Sequence, residues 1–130
     1  MYIRPRTSRR RHSLCDELLL DVSTQKYVGE ATWFISHTWS NSFADTIDAI
    51  LLFFEGRSDA ANAVVWFDVF VDSQFPKDSP SSDWYMGVFR DSIERMGNML
   101  LVVDKWDNPS AMKRAWLVWD VFILVQISNI

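Results

Sequence analysis

Four consecutive side chains after an apolar run bring together groups that can do chemistry. Ser36, His37, Thr38 and Trp39 supply two hydroxyls, an imidazole and an indole directly after the run ATWFI. An imidazole can contact a ligand or carry a proton near neutral pH, and an indole can stack on a planar ring. Structural interpretations remain open for both, as a hydrogen-bonding group for His37 and as core packing for Trp39. Ser36 is expected to cap or turn the chain, since no base is fixed beside it to activate its hydroxyl.

A second candidate group lies near the C-terminus. Asp120 is the only ionisable side chain after Arg114 and stands among apolar residues. A carboxylate in such surroundings is costly unless it is paired or functional. Asp120 is therefore interpreted either as a group at the rim of a site or as a solvent-facing helix residue paired with Arg114 or Lys113. Arg114 can alternatively hold a phosphate, and Trp106 and Trp116 can either stack on a ring or fill the core.

Three segments have the apolar, β-branched and aromatic composition of buried strands. They span residues 31–36, 63–71 and 99–103. Apolar residues at helical spacing alternate with these strands and predict helices over residues 43–54, 84–96 and 110–126. The first of these helices has an apolar face made of Phe43, Ile47, Ile50, Leu51 and Phe54. Asp68 falls inside the second strand and is interpreted as structural, bonded to neighbouring backbone or to a cation.

Alternating strands and helices predict an α/β fold, a parallel sheet with helices on both faces. In such sheets, ligands bind beyond the carboxyl ends of the strands. We therefore expect His37, Asp72 and the turn at residues 104–108 to converge on one rim. The predicted ligand-binding residues are Ser36, His37, Trp39, Asp72, Trp106, Arg114 and Trp116.

The charge of the chain is unevenly distributed. The net charge is −4, and five arginines fall in the first eleven residues, so the remainder carries about −9. Residues 1–12 are expected to be a basic disordered arm, residues 13–28 a short helix with a capping box at Ser13 and a linker, and residues 29–130 the α/β domain. Nucleic acid binding is expected only through the arm from Arg4 to Arg11, because the rest of the chain is acidic.

Composition argues against several other classes of protein. Cys15 is the only cysteine, so no internal disulfide can form, and a reducing, cytoplasmic location is expected. No apolar stretch is long enough to predict a membrane span. One cysteine and two histidines cannot build a tetrahedral structural zinc site, so no metal is expected. The four scattered glycines form no phosphate-binding loop.

Several segments, taken together, resemble Toll/interleukin receptor (TIR) domains. The run FISHTW followed by FADTIDAIL resembles the first conserved TIR box, and RAWLVWD at residues 114–120 resembles the TIR pattern Trp-Cys-Leu-x-Glu. The run VVWFDVFVDSQF resembles the second strand and its following loop. It is also similar to the Trp-x-Asp…Gln motif of fungal heterokaryon-incompatibility domains, at Trp66, Asp68 and Gln74. The set is most similar to TIR-like domains of algal and protist type, over about residues 28–125.

The resemblance implies a flavodoxin-like fold and a signalling or defence module that associates with itself or with other TIR-like domains. The loop at residues 72–83 is then an assembly surface. Its candidate interface residues are Phe75, Pro76, Lys77 and Asp78. The resemblance also implies an alternative, an NAD glycohydrolase that takes NAD as substrate and uses Asp120 as its catalytic carboxylate.

The chain departs from the TIR pattern at two points. Leu117 replaces the cysteine of the helix motif, and Asp120 replaces its glutamate. TIR-like domains typically have five strands, whereas three are predicted here. The domain is therefore expected to be incomplete, with a sheet edge open to association.

Overall fold

The computed structural model describes residues 3–75, 82–104, 121–122 and 125. Five helices and three strands lie in this part of the chain. In chain order they are α1 (Ile3–Thr7), α2 (Leu14–Leu19), β1 (Trp33–Ser36), α3 (Phe43–Phe54), β2 (Val65–Trp66), α4 (Asp68–Val71), α5 (Ser82–Met96) and β3 (Met99–Leu101). Two short 3-10 turns, Gln25–Tyr27 and Ala60–Asn62, precede β1 and β2.

The three strands form one parallel sheet in the order β2-β1-β3. The central residue Phe34 pairs with Trp66 on one side and with Met99 on the other. This arrangement confirms the predicted parallel α/β fold. All three strands point the same way, so their carboxyl ends lie at one edge of the sheet.

Helices pack on both faces of the sheet. Neighbouring side chains on a strand point to opposite faces, so Phe34 and Ile35 of β1 belong to two separate apolar clusters. Ile35 packs in one cluster with Ile50 of α3, and Phe34 packs in the other with Ile93 of α5. The first cluster is the larger, since it also contains Ile3, Phe67, Val69 and Val102.

Helix α3 begins and ends where its sequence signals predict. The hydroxyl of Ser42 accepts a hydrogen bond from the Asp45 amide at 3.5 Å, and Gly56 follows the helix with a φ of +73°. Two predicted positions of the apolar face are exposed, Leu51 at 64% and Phe43 at 49%, whereas Thr46 is buried. The buried stripe, centred on Ile50, is rotated around the helix toward Thr46, which leaves Leu51 at its solvent edge.

The second predicted strand is much shorter than expected. Only Val65–Trp66 forms a strand of the sheet, and after Phe67 the chain enters helix α4 (Asp68–Val71). Asp68 therefore begins a helix and does not lie within a strand. Its carboxylate accepts a hydrogen bond from the Val69 amide at 2.7 Å, as an acidic side chain in a first helical turn commonly does. A short apolar run does not distinguish strand from helix by periodicity.

Within the N-terminal segment, for which a disordered arm is predicted, residues 3–7 form helix α1 and pack on the rest of the domain. Ile3 and Thr7 of α1 are 4% and 0% exposed, and Ile3 packs in the larger apolar cluster. The Thr7 hydroxyl donates to the Ile3 carbonyl at 2.9 Å. One apolar residue, Ile3, and one hydrogen-bonded polar residue, Thr7, are thus buried in a segment whose composition is dominated by arginine. The capping box at Ser13 and Asp16 is confirmed.

Helix α5 and strand β3 lie close to their predicted positions. The helix begins at Ser82, two residues before the predicted start, and Gly97 follows it with a φ of +70°. The predicted turn after Asp104 and the predicted last helix, except for three of its residues, lie outside the described residues. None of the helices in the described part of the chain combines the length and apolar character needed to cross a membrane.

Candidate functional site

His37 lies at the carboxyl end of β1 and is fixed by two neighbours. Its side chain is only 6% exposed, and its ring packs edge-on against Phe67, with 4.8 Å between the ring centroids. Its Nε2 atom lies 2.7 Å from Oδ1 of Asp68. The imidazole is therefore held by a carboxylate on one edge and by an aromatic ring on another.

The same carboxylate holds a second aromatic side chain. Trp39 donates from Nε1 to Oδ2 of Asp68 at 2.8 Å, and the indole remains 53% exposed. With the bond from the Val69 amide, three groups converge on one carboxylate. We refer to His37, Trp39 and Asp68 as the Asp68 cluster. It connects the segment after β1 to the start of α4, directly beyond β2.

A small pocket of about 120 Å³, partly open to solvent, adjoins the Asp68 cluster. Its lining is mainly apolar and aromatic, with a few polar groups. It is made of His37, Trp39, Asn41, Phe43, Thr46, Phe67 and Val69. A concave apolar surface with a small number of convergent polar groups is typical of small-ligand sites. A planar apolar group entering it would meet the exposed indole of Trp39.

The structure brings some of the predicted site residues together and separates others. His37 and Trp39 share the Asp68 carboxylate, as described above. Ser36 is buried in β1, and its carbonyl accepts a hydrogen bond from the Val102 amide at 2.8 Å. Asp72 follows α4 and does not lie at the end of β2, because the strand ends at Trp66.

Among the remaining predicted site residues, Phe75 is the one that the structure describes. Phe75 lies against two arginines of the N-terminal segment. The others lie outside the described residues: Pro76, Lys77, Asp78, Trp106, Arg114, Trp116 and Asp120.

Asp68 is the residue whose place at the site was missed from the sequence. The Trp-x-Asp spacing contained the signal for it. Trp66 ends β2, so Asp68, two residues later, lies at the carboxyl edge of the sheet. The third residue of that motif, Gln74, donates from Nε2 to the carbonyls of Val69 and Asp72 at 3.3 and 3.2 Å. Gln74 thus closes the chain back onto α4 and fixes the helix that begins at Asp68.

Neither a metal site nor a reactive thiol is found in the part of the chain that the structure describes. No set of three or more His, Cys, Asp and Glu side chains there is arranged to hold a metal ion. Burial, and then the neighbouring Asp16 carboxylate, raise the pKa of the Cys15 thiol. Because the thiolate is the reactive form, Cys15 is a poor nucleophile.

Comparison of the chain with protein-family models, with curated proteins and with solved structures finds no match in any of the three. The assignment of a function therefore depends on the residues and their geometry.

Proposed function

We propose that this chain is a cytoplasmic signalling or defence module that acts by associating with other copies of its own fold, in the manner of TIR-like domains. The TIR-like order of its sequence motifs supports this function, and the parallel α/β fold is compatible with it. In this proposal the function depends on contacts made by the outer surface of the domain and not on chemistry at the candidate site.

The observation that carries this proposal is the outer surface of α3. Leu51 and Leu52 are adjacent, and their side chains are 64% and 70% exposed. The opposite side of the same helix packs against the sheet through Ile50. Removing a leucine side chain from water is worth up to about 2 kcal/mol. Two such residues on each copy can therefore contribute substantially to a symmetric contact between copies.

Light scattering over a range of protein concentrations tests the proposal. The wild-type chain is expected to increase in apparent mass with concentration, and Leu52→Asp to remain monomeric. Val88→Asp is a matched control, since it introduces the same charge at an exposed apolar position, 42% exposed, on α5 at the opposite face of the sheet. A wild type that stays monomeric, or equal effects of the two substitutions, would contradict the proposal.

A second candidate function is binding and cleavage of NAD. The half-exposed indole of Trp39 beside the apolar pocket supports it, because the nicotinamide ring is planar and can stack on an indole. In the TIR-like pattern the catalytic carboxylate corresponds to Asp120, which would stabilise positive charge on the ribose as the nicotinamide bond breaks. Aspartate is one methylene shorter than the usual glutamate, so slow turnover is expected.

Release of nicotinamide from NAD by the purified chain tests this second function. We expect slow release by the wild type, faster release by Asp120→Glu, and none by Asp120→Ala. Trp39→Ala is expected to raise KM more than it lowers kcat, because the indole binds the ring and does not take part in bond cleavage. Absence of release from both the wild type and Asp120→Glu would exclude this function.

A further inference from the structure

One ring nitrogen of His37 is left without a partner beside the pocket. The Nε2 atom lies 2.7 Å from the Asp68 carboxylate, and the ring lines the pocket. No group among the described residues forms a hydrogen bond with the other nitrogen, Nδ1. In that part of the chain, Oγ1 of Thr38 is the one side-chain polar atom that is both buried and without a partner. Nδ1 is therefore accessible, although the side chain as a whole is only 6% exposed.

The Asp68 carboxylate determines what Nδ1 can bind. An ionised carboxylate only accepts hydrogen bonds, so the neutral imidazole keeps its proton on Nε2 and donates it to Asp68. Nδ1 is then an acceptor and requires a donor on the ligand. The negative charge of Asp68 disfavours an anion at this place, and none of the described residues that line the pocket is a lysine or an arginine. The ligand is therefore expected to be a neutral donor.

Asn41 supplies a second polar group to the pocket. Its backbone amide donates to the Thr38 carbonyl at 2.9 Å, whereas its side-chain amide has no hydrogen bond with any described residue. The hydroxyl of Thr46, by contrast, already donates to the Ser42 carbonyl at 3.0 Å. A side-chain amide both donates and accepts, so it is complementary to an amide on a ligand.

The size and the walls of the pocket suit a single aromatic ring. Trp39, Phe43 and Phe67 line it, and the indole of Trp39 is 53% exposed. The volume is about 120 Å³. For comparison, a closed apolar cavity of about 150 Å³ in another protein holds one benzene molecule. A second fused ring would have to extend through the open side into solvent.

We propose that this pocket binds a neutral aromatic carboxamide. Its ring lies against Trp39, one amide N–H donates to Nδ1 of His37, and the rest of the amide pairs with the side chain of Asn41. The inference does not depend on self-association. Nicotinamide belongs to this ligand class, so the inference deepens the second candidate function and rests on it for the identity of the natural ligand. Binding of a free ring is measured separately from cleavage of NAD, so the failure of one is distinguishable from the failure of the other.

Three ligands of similar size test the requirement for a donor. Benzamide carries N–H donors, acetophenone has a methyl group in place of the amino group, and benzoate carries a negative charge. In NMR titrations of the full chain, benzamide is expected to bind about tenfold more tightly than acetophenone, which corresponds to one good hydrogen bond. Benzoate is expected to bind more weakly than benzamide. Equal Kd values for benzamide and acetophenone, tighter binding of benzoate, or no binding of benzamide would overturn the inference.

Substitutions separate the ring contact from the hydrogen bonds. Trp39→Ala is expected to weaken the binding of benzamide and acetophenone by a similar factor, because both ligands present the same ring. Asn41→Ala is expected to weaken benzamide several-fold and to leave acetophenone less affected. Asn62→Ala is the matched control, since Asn62 is exposed and does not line the pocket. If Asn41→Ala and Asn62→Ala bind benzamide equally well, the proposed amide pairing is overturned.

Detection of the histidine ring nitrogens by NMR tests the contact with His37 in the wild-type chain, where no substitution disturbs the fold. The chain has two histidines, so His12 is an internal control. Its Nε2 atom is also close to a carboxylate, that of Glu17, but His12 is not among the residues that line the pocket. Benzamide is expected to shift the Nδ1 resonance of His37 and to leave that of His12 unchanged. A His37 resonance that does not move at saturating benzamide would overturn the inference.

Discussion

Two histidine–carboxylate pairs of nearly equal length occur in different surroundings. His37 Nε2 lies 2.7 Å from Asp68 Oδ1, and His12 Nε2 lies 2.6 Å from Glu17 Oε2. The His37 side chain is 6% exposed, whereas His12 is 22% exposed. The first pair joins residues 31 positions apart, and the second joins residues five positions apart.

The comparison shows that burial and chain separation, and not bond length, decide what such a contact does. Asp68 also accepts hydrogen bonds from the Trp39 indole and the Val69 amide, so its loss would leave several donors without an acceptor. Water can replace Glu17 beside His12, and the Arg10 guanidinium, 3.7 Å from the Glu17 carboxylate, is half-exposed. The His37–Asp68 pair therefore holds the candidate site together. The His12–Glu17 pair makes only a small contribution at the protein surface.

The largest effect is expected from Asp68→Ala. Buried His37 would lose its partner, and the connection between β1 and α4 would be lost with it. We expect a loss of about 3 kcal/mol in the free energy of unfolding. Urea denaturation measures it, with Asp48→Ala on the exposed side of α3 as the matched control, expected to change stability by less than about 0.5 kcal/mol. Similar losses in the two variants would mean that the Asp68 cluster does not hold the site.

A smaller effect is expected from Trp39→Phe. The substitution keeps an aromatic ring at the pocket but removes the indole N–H that donates to Asp68 Oδ2. The expected loss is about 1 kcal/mol. Combining it with Asp68→Ala in a double-mutant cycle isolates the bond, and the two losses should be less than additive. Strict additivity would show that the 2.8 Å contact contributes nothing to stability.

The contrast between β1 and the segment after β2 explains how far the sequence could predict the fold and the site. The strands and helix α3 follow from apolar runs and helical periodicity, which are local signals. The turn from β2 into α4 depends on Asp68 bonding to its own helix and to His37, 31 residues away. Sequence spacing does not reveal a contact of that kind. The burial of Ile3 has the same origin, since it depends on a cluster assembled from distant elements.

The region around His12 also tests this comparison, because its stability is expected to depend on Ser13 more than on the His12–Glu17 pair. Ser13 caps α2, accepting from the Asp16 amide at 3.1 Å while its own amide donates to the Asp16 carboxylate at 3.2 Å. Ser13→Ala is expected to cost about 1 kcal/mol. Exposed Ser58 provides a matched control, and Ser58→Ala should leave the urea midpoint almost unchanged. A loss for Ser13→Ala no larger than that for Glu17→Gln would contradict this ranking.

The smallest effect is expected from Glu17→Gln, and it should depend on pH. The hydrogen bond with His12 lowers the pKa of the Glu17 carboxyl; desolvation opposes it to a smaller extent, and the nearby Arg10 charge adds a still smaller lowering. A lowered pKa in the folded state means that the contribution is fully present above the ordinary glutamate pKa of about 4.3 and is lost as the pH falls through the lowered value. Urea midpoints of wild type and Glu17→Gln should therefore differ slightly at pH 7 and converge as the pH falls through the lowered pKa of Glu17. If the difference in urea midpoint persisted unchanged to lower pH, the substitution would act through packing and not through the charge of Glu17 beside His12.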